Sequence, residues 1–278
     1  MTRLFLDGGD PAETRQILNA LDGQTTNPTL ISKNPEAQGR LARGEKFQPQ
    51  EIYDFYRRVV TELSGLLPNG SISIEVYADA TTTTDQMITQ ALQMWEWIPN
   101  AHIKLPTTAA GLAAAQQAVS EGMRVNMTLC FSQEQAAAVY AATKGAKKGD
   151  VFVSPFIGRL DDIGQNGVDL IKHILKMYEQ GDGHVEVLSA SIRSREHLQA
   201  VVQLGSDIVT APLKIIQAWL DAGRQVDPGF AYQPDLSPIP YREVSLEKEW
   251  DQYDVAHELT TKGIDRFAAD WNSLITQP

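Results

Sequence analysis

The stretch Asn100-Ala101-His102-Ile103-Lys104-Leu105-Pro106 places a lysine between two aliphatic residues in a short run that is typical of an interior β-strand. Burial disfavours an ammonium ion, so a lysine at the end of such a strand can be held as a neutral amine. A neutral amine attacks a carbonyl carbon and forms a Schiff base. The alternative is a lysine that extends to the surface, which is the commoner arrangement for a lysine with apolar neighbours. The rest of the chain decides between these two interpretations.

This run is one of eight strand candidates that alternate with longer helical stretches up to Gly223. Such alternation is typical of repeated βα units around a parallel sheet. Eight units favour an α/β fold of the closed (β/α)8 TIM-barrel type over an open doubly wound sheet. The chain of 278 residues is long enough for one such barrel with an extension. The predicted strands comprise residues 4–7, 24–27, 71–76, 102–105, 125–129, 151–154, 185–191 and 208–211.

The character of the sequence changes after Gly223. Residues 226–241 contain four prolines and are predicted to form an extended connector. A final helical region is predicted over about residues 244–275, where apolar residues recur at helical spacing on one face. We therefore expect a barrel over residues 1–223, and a connector with a C-terminal helical extension over residues 224–278, within a single domain. This extension packs either on its own barrel or on a neighbouring copy, which would make the protein a homo-oligomer.

Charge and cysteine content restrict the expected partners and compartment. A net charge of −11 and a pI near 4.9 argue against nucleic acid and anionic membranes as partners, because both require a basic surface. No apolar run reaches the roughly 18 residues of a membrane span. The first residues lack the features of a signal peptide, and Cys130 is the single cysteine, so we expect a cytoplasmic protein. The five histidines show no metal-ligand spacing, so no metal site is expected.

Polar residues fall at the C-terminal ends of the predicted strands, where (β/α)8 barrels carry their catalytic groups. Each residue alone has an ordinary explanation as a helix cap, a turn residue or a strand former. Together they would bring an amine, two carboxylates, several hydroxyls and two guanidinium groups into one barrel mouth. The arginine pair would let an acidic protein bind a phosphate. The residues are Asp7, Asn27, Glu75, Lys104, Thr128, Ser154 and Ser191, with Arg159 and Arg193 in the loops just beyond.

The ordered motifs at these positions resemble those of the transaldolase family, and the resemblance continues into the tail at Glu258 to Phe267. It implies a class I Schiff-base enzyme of the pentose phosphate pathway on a (β/α)8 barrel, which moves a dihydroxyacetone unit between sugar phosphates without a metal or an organic cofactor. The motifs are Leu6-Asp7, Thr25-Thr26-Asn27-Pro28-Thr29-Leu30, Ile74-Glu75-Val76, Ile103-Lys104-Leu105, Asn126-Met127-Thr128-Leu129, Ser154-Pro155-Phe156-Ile157-Gly158-Arg159 and Ala190-Ser191-Ile192-Arg193.

The resemblance implies a catalytic role for four of these residues. Lys104 would be the Schiff-base nucleophile, and Asp7 would be the acid and base at the sugar hydroxyl next to the carbon–carbon bond that is cut or formed. Glu75 and Thr128 would hold a water molecule that carries protons during formation and hydrolysis of the carbinolamine. These roles suit the residue types, because a carboxylate near an amine can relay protons.

The resemblance implies a binding role for five more residues. Asn27 and Ser154 would hydrogen-bond the hydroxyl groups of the dihydroxyacetone unit. Arg159, Ser191 and Arg193 would bind the phosphate. The expected donors are sedoheptulose 7-phosphate and fructose 6-phosphate, with glyceraldehyde 3-phosphate and erythrose 4-phosphate as acceptors.

Two positions distinguish the related activities in this superfamily. Fructose-6-phosphate aldolases resemble the chain too, but they carry glutamine where Glu75 stands and tyrosine where Phe156 stands. The chain therefore has the transaldolase residue at both positions, although Gly8 follows Asp7 where threonine is usual. The alternatives are an aldolase-like enzyme that releases free dihydroxyacetone and a non-catalytic barrel that binds sugar phosphates.

Overall fold

In the computed structural model, which describes residues 1–276, eight parallel strands close into a barrel in chain order, and the last strand pairs with the first. The prediction of a (β/α)8 barrel is therefore confirmed. The strands are β1 (Arg3–Asp7), β2 (Gly23–Thr25), β3 (Ser71–Glu75), β4 (Ala101–Pro106), β5 (Val125–Cys130), β6 (Val151–Pro155), β7 (Val185–Ser189) and β8 (Ile208–Ala211).

The helices begin where capping chemistry favours a helix start. Asp10, Asn27 and Asn34 each accept a backbone N–H bond at the start of a helix, and each is followed by a proline at the first helical position. The helices are α1 (Pro11–Gln16), α2 (Pro28–Ser32), α3 (Pro35–Ala42), α4 (Pro49–Leu66), α5 (Thr84–Trp95), α6 (Ala109–Ser120), α7 (Gln133–Ala142), α8 (Ile157–Asp161), α9 (Gly167–Tyr178), α10 (Arg195–Gln203), α11 (Leu213–Asp221) and α12 (Glu258–Leu274), with 3-10 turns at Leu18–Ala20 and Trp250–Gln252.

The central strands are covered on both faces. Every residue of β4 is buried, because helices cover the outside of the barrel and side chains of the other strands fill its inside. Alternation along β4 turns Ile103 and Leu105 towards the helices and Lys104 towards the interior. There the register of β3 and β4 sets Glu75 beside Lys104. The barrel itself therefore brings a carboxylate and an amine together.

Two predicted strands end earlier than expected, whereas the other predicted ends agree to within one residue. The strand predicted to end at Asn27 ends at Thr25, because the Asn27 side chain accepts the Leu30 N–H and starts α2. The strand predicted to end at Ser191 ends at Ser189. Ser191 has a φ of 59°, which is incompatible with an extended strand.

The C-terminal helical region begins later than predicted. Helicity was expected from about residue 244, but α12 starts at Glu258, and the preceding stretch contains only the 3-10 turn Trp250–Gln252. Gln133 on α7 forms two hydrogen bonds with the backbone of Arg242, at 2.9 and 3.0 Å. These bonds fix the path of the chain at the start of the stretch, so tertiary contacts override its helical periodicity there.

Helix α12 packs on its own barrel, across the C-terminal ends of the strands. The Thr260 hydroxyl donates to the Leu129 carbonyl at 2.9 Å, and a Cβ at Gly263 would lie 2.6 Å from the Leu129 side chain. Leu129 has a φ of 58°, and it lies where the register of β5 and β6 shifts. A hydrogen bond from Thr29 to Asp270 holds the other half of the helix. These contacts support our proposal that the chain forms one domain.

Candidate active site

A cavity of about 560 Å³ opens at the C-terminal ends of the strands. Most of the residues predicted from the sequence meet there, and two do not line it, because Glu75 and Thr128 are buried in the surrounding wall. The predicted residues that line the cavity are Asp7, Asn27, Lys104, Ser154, Phe156, Arg159, Ser191 and Arg193.

Lys104 forms a buried ion pair with Glu75. The distance between Lys104 Nζ and Glu75 Oε2 is 3.0 Å, and the two side chains are 3% and 5% exposed. Lys104 Nζ also donates a hydrogen bond of 3.2 Å to the Thr26 carbonyl. The lysine therefore does not extend to the surface, and its nitrogen is directed to a carboxylate and a backbone oxygen at the edge of the cavity.

The environment of Glu75 raises the pKa of its carboxyl group. Burial raises the pKa of Glu75, and the charge of Asp7 acts in the same direction, while Lys104 and Arg159 oppose the rise. Within residues 1–276, the only polar contact of the buried Glu75 Oε2 is the one with Lys104 Nζ, and the buried Thr128 Oγ1 has no hydrogen-bond partner. Buried polar atoms normally have partners. Both oxygen atoms therefore have capacity to bind a small polar molecule.

Asp7 lies at the end of β1 and accepts a 2.7 Å hydrogen bond from the Thr25 hydroxyl. Thr25 and Thr210 also share a 2.7 Å contact, in which Thr210 must donate because the single Thr25 proton is already used. Burial raises the pKa of Asp7, and Lys104, the Thr25 bond and Lys33 oppose the rise. Asp7 can therefore hold a proton at a pH where an ordinary aspartate has lost it.

A chain of polar contacts inside the barrel fixes Ser154. Its hydroxyl donates to Asn126 Oδ1 at 2.6 Å, and Asn126 Nδ2 donates to Ser73 Oγ at 3.0 Å. Asn27 differs, because its side-chain oxygen already accepts the Leu30 N–H at 2.9 Å. The amide NH₂ of Asn27 therefore remains as the group that it can offer to a ligand.

Basic residues gather on one side of the cavity. The guanidinium of Arg159 lies 5.8 Å from the ring centre of Phe156 and 5.6 Å from that of Phe267. Burial, followed by the charges of Arg266 and Arg193, lowers the pKa of Arg159. The cavity therefore holds several positive charges close together, an arrangement that favours an anion.

The other two residues predicted to bind phosphate also lie in this region. Arg193 forms a two-point ion pair with Asp162, in which Nη2 lies 2.6 Å from Oδ2. Ser191 is partly exposed in the cavity, and its carbonyl accepts the Gly158 N–H at 3.1 Å. A Cβ at Gly158 would lie 2.4 Å from that carbonyl, so only glycine permits this close approach. The structure thus places Arg193, Ser191 and Arg159 around the same side of the cavity.

Sequence reasoning missed several residues of the site. Arg266 and Phe267 come from α12, which follows the eight βα units, so the strand-end rule could not find them. Tyr56 on α4 accepts the Glu75 N–H at 2.9 Å and contacts the Thr26 hydroxyl. No pattern in the sequence separates this tyrosine from an ordinary core residue.

His102 has a structural role at the opposite end of the barrel. Its ring stacks on Phe152, with ring centres 4.1 Å apart, and its nitrogens contact Ser71 Oγ and the Gly149 carbonyl at 2.7 and 2.9 Å. Burial lowers the pKa of His102 to about 3. Among residues 1–276, no three metal-ligating side chains cluster, and no helix is both long enough and apolar enough to cross a membrane.

The fold and the site define a (β/α)8 barrel whose C-terminal mouth holds a buried lysine and carboxylate pair next to a basic wall. Residues 4–277 match the family model described as transaldolase/fructose-6-phosphate aldolase, and the chain belongs to that family. The resemblance seen in the sequence motifs is therefore confirmed.

Similar proteins agree with this assignment. A probable transaldolase of Dehalococcoides mccartyi is 34% identical over 274 residues, which is 98% of this chain and 99% of that protein. A probable transaldolase of Brucella ovis is 35% identical over 271 residues, which is 97% of this chain and 96% of that protein. Among solved structures, 3-hexulose-6-phosphate synthase from Salmonella typhimurium has a TM-score of 0.49 at 13% identity and covers 79% of this chain and 92% of its own. That likeness carries no information about the reaction.

Proposed function

We propose that this protein is a transaldolase that transfers a dihydroxyacetone unit between sugar phosphates through a Schiff base on Lys104. The reaction would convert sedoheptulose 7-phosphate and glyceraldehyde 3-phosphate into erythrose 4-phosphate and fructose 6-phosphate, a step of the pentose phosphate pathway. The observation that carries the proposal is the buried contact of 3.0 Å between Lys104 Nζ and Glu75 Oε2, beside the cavity that Asp7 and Arg159 also line.

The first step is attack of the Lys104 amine on the ketone carbon of the donor. The amine must lose its proton before it attacks, and the resulting carbinolamine needs a proton on its hydroxyl before that hydroxyl leaves as water. Glu75 suits both transfers, because it contacts Nζ and burial raises its pKa. Glu75 Oε2, beside Lys104 Nζ, and Thr128 Oγ1, which has no hydrogen-bond partner within the described residues, are suited to hold the water through which the proton moves.

The second step is cleavage of the carbon–carbon bond. Asp7 would take the proton of the hydroxyl on the carbon that becomes the aldehyde, and the bond electrons would move into the protonated imine on Lys104 to form an enamine. The aldose phosphate then leaves, and the enamine attacks the aldehyde of the acceptor while Asp7 returns the proton. Hydrolysis of the new imine, which is the reverse of the first step, would release the ketose phosphate and the free Lys104 amine. The raised pKa of Asp7 supports this double role, because one group must both accept and donate.

Binding groups surround this chemistry. The free NH₂ of Asn27 and the hydroxyl of Ser154, which is fixed by Asn126, would bond the hydroxyls of the dihydroxyacetone unit. Arg159 and Arg193 would bind the phosphate, with the hydroxyl of Ser191 as a further donor. When the phosphate binds, Arg193 would either exchange its contact with Asp162 for one with the substrate or contact both groups at once.

Transfer differs from simple aldol cleavage in the fate of the enamine. Phe156 lines the cavity without a hydroxyl, so it cannot help to hold a proton-carrying water, and Glu75 remains the main proton carrier. This arrangement favours a long-lived enamine that waits for an acceptor. We therefore place release of free dihydroxyacetone second to transfer.

A coupled assay tests the proposal. Glyceraldehyde 3-phosphate is measured from fructose 6-phosphate with and without erythrose 4-phosphate. We expect continuous release only with the acceptor, and at most one equivalent per active site without it. Continuous release without the acceptor would mean aldolase chemistry, and no release with any ketose phosphate donor would leave a barrel that binds sugar phosphates without catalysis.

We also propose a cytoplasmic location. The one cysteine, Cys130, is a buried free thiol, and such a residue suits a reducing compartment. Fractionation of the source cells, followed by detection of the protein in each fraction, tests this proposal, and recovery outside the cytoplasmic fraction would contradict it.

A further inference from the structure

The C-terminal helix contributes a wall of the cavity. Arg266 and Phe267 of α12 line it, together with residues from the strand ends. The helix is fixed against the barrel by the Thr260 bond to Leu129 and by the contact of Gly263 with the same leucine. Arg266 is therefore held over the cavity by a packed element rather than by a loop.

The three arginines of this wall differ in their existing partners. Arg193 is engaged by the Asp162 carboxylate. Arg159 lies near the rings of Phe156 and Phe267, and no ion pair to it occurs within the described residues. The side chain of Arg266 is 60% exposed, and its contact with a carboxylate is a long one, 3.9 Å to Asp270. Asp270 also accepts the Thr29 hydroxyl, and its distance to Arg266 is too long for a hydrogen bond.

Arg159 and Arg266 lie close enough to repel each other. Of all charged groups, Arg266 contributes most to the lowered pKa of Arg159, and the opposing effects of Asp162 and Glu75 are smaller. Arg159 and Arg266 line the same cavity, and neither makes a close ion pair within the described residues. Both can therefore bind a doubly charged anion through paired N–H donors.

We propose that Arg266 is a phosphate-binding residue of this cavity and that it sets the preference for phosphorylated over unphosphorylated acceptor aldehydes. The inference rests on the proposed transfer reaction and deepens it. Arg159 and Arg266 would bind the phosphate together, Arg159 from the barrel and Arg266 from the C-terminal helix. The tail is then part of the substrate site and does more than complete the core.

Substitution of Arg266 tests the inference, with a matched control on the same helix. Arg266→Ala removes the charge inside the cavity. Lys262→Ala removes an equal charge from an exposed side chain of α12 that pairs with Glu258 and does not line the cavity. Arg266→Lys keeps the charge but loses the planar fork, and should fall between Arg266→Ala and the wild type.

Two measurements separate binding from turnover. Titration calorimetry with inorganic phosphate should show roughly tenfold weaker binding for Arg266→Ala and no change for Lys262→Ala. In the transfer assay, Arg266→Ala should raise the KM for erythrose 4-phosphate by roughly tenfold, while kcat/KM for unphosphorylated erythrose stays within about twofold of the wild type.

The outcomes distinguish this inference from the proposed function. If Arg266→Ala and Lys262→Ala bind phosphate equally and prefer the phosphorylated acceptor equally, the role of Arg266 is refuted, whatever the reaction is. If the wild type transfers nothing but Arg266→Ala still binds phosphate more weakly, the phosphate contact stands and the transfer reaction fails.

Discussion

Replacement of Tyr56 by phenylalanine removes one hydroxyl that fixes both sides of the ion pair. Tyr56 accepts the Glu75 N–H at 2.9 Å. The Thr26 hydroxyl donates to the Ser73 carbonyl at 2.7 Å, so in the contact of Thr26 with Tyr56 the tyrosine is the donor. The carbonyl of Thr26 in turn accepts from Lys104 Nζ. Tyr56→Phe thus removes one hydrogen bond from the backbone of Glu75 and one from the side chain of Thr26, whose carbonyl contacts Lys104.

The expected loss of stability in Tyr56→Phe follows from the burial of this side chain. The Tyr56 side chain is fully buried, and burial raises the pKa of Tyr56 well above 10, so its hydroxyl keeps its proton at any working pH. The substitution keeps the ring but leaves the Glu75 N–H without an acceptor and the Thr26 oxygen without a donor. An unsatisfied buried group costs about 1–3 kcal/mol, so we expect a loss of about 2–4 kcal/mol in the free energy of unfolding. Because the pair is displaced, kcat should fall by roughly 10- to 100-fold.

Urea unfolding and the transfer assay measure both effects. Tyr53→Phe is the matched control, because Tyr53 lies on the same helix, is partly buried, and its hydroxyl makes within residues 1–276 a single long contact, 3.4 Å to Gln90. The control should lose less than about 0.5 kcal/mol and keep its activity. If Tyr56→Phe behaves like Tyr53→Phe in both measurements, the reasoning that links this hydroxyl to the site is wrong.

Three further variants test the groups around the cavity. Lys104→Met should lower turnover at least about 1,000-fold, because no amine remains to form the imine. Circular dichroism should show a native fold. Activity near that of the wild type would reject Lys104 as the nucleophile. Glu75→Gln should slow turnover by about 100-fold or more and flatten the part of the pH–kcat profile that depends on this carboxyl; an unchanged profile would exclude Glu75 as the proton carrier. The pKa of Asp7 in the native state is raised above the ordinary 3.8, so the native state holds this proton more tightly than the unfolded chain does. The protonated carboxyl therefore stabilises the native state at low pH, and this contribution is lost as the pH rises through the native pKa. Asp7→Asn should therefore unfold at higher urea than the wild type at pH 8, with a gain that shrinks as the pH falls towards 3.8; an equal gain at both pH values would contradict the raised pKa.

The part of the site that lies on the strands could be predicted because the barrel fixes it. Once β3 and β4 are adjacent and parallel, their register sets Glu75 beside Lys104. Alternation then turns Lys104 inwards, since its apolar neighbours must face the helices. Residue types at strand ends therefore carry most of the information about this region of the cavity.

Two features could not be predicted, because they depend on contacts between distant parts of the chain. Helix α12 lies over the mouth owing to its contacts with Leu129 and Thr29, and only those contacts bring Arg266 to the cavity. The left-handed conformation of Ser191 is likewise local geometry that a serine rarely adopts, so the predicted strand was too long.

Reductive trapping tests the central claim most directly. The protein is incubated with fructose 6-phosphate, treated with borohydride, digested and analysed by mass spectrometry. We predict a stable dihydroxyacetone adduct on the peptide that contains Lys104, dependent on both substrate and reductant and absent from Lys104→Met. An adduct on another lysine, or transfer activity that survives borohydride treatment with no adduct on Lys104, would contradict the account.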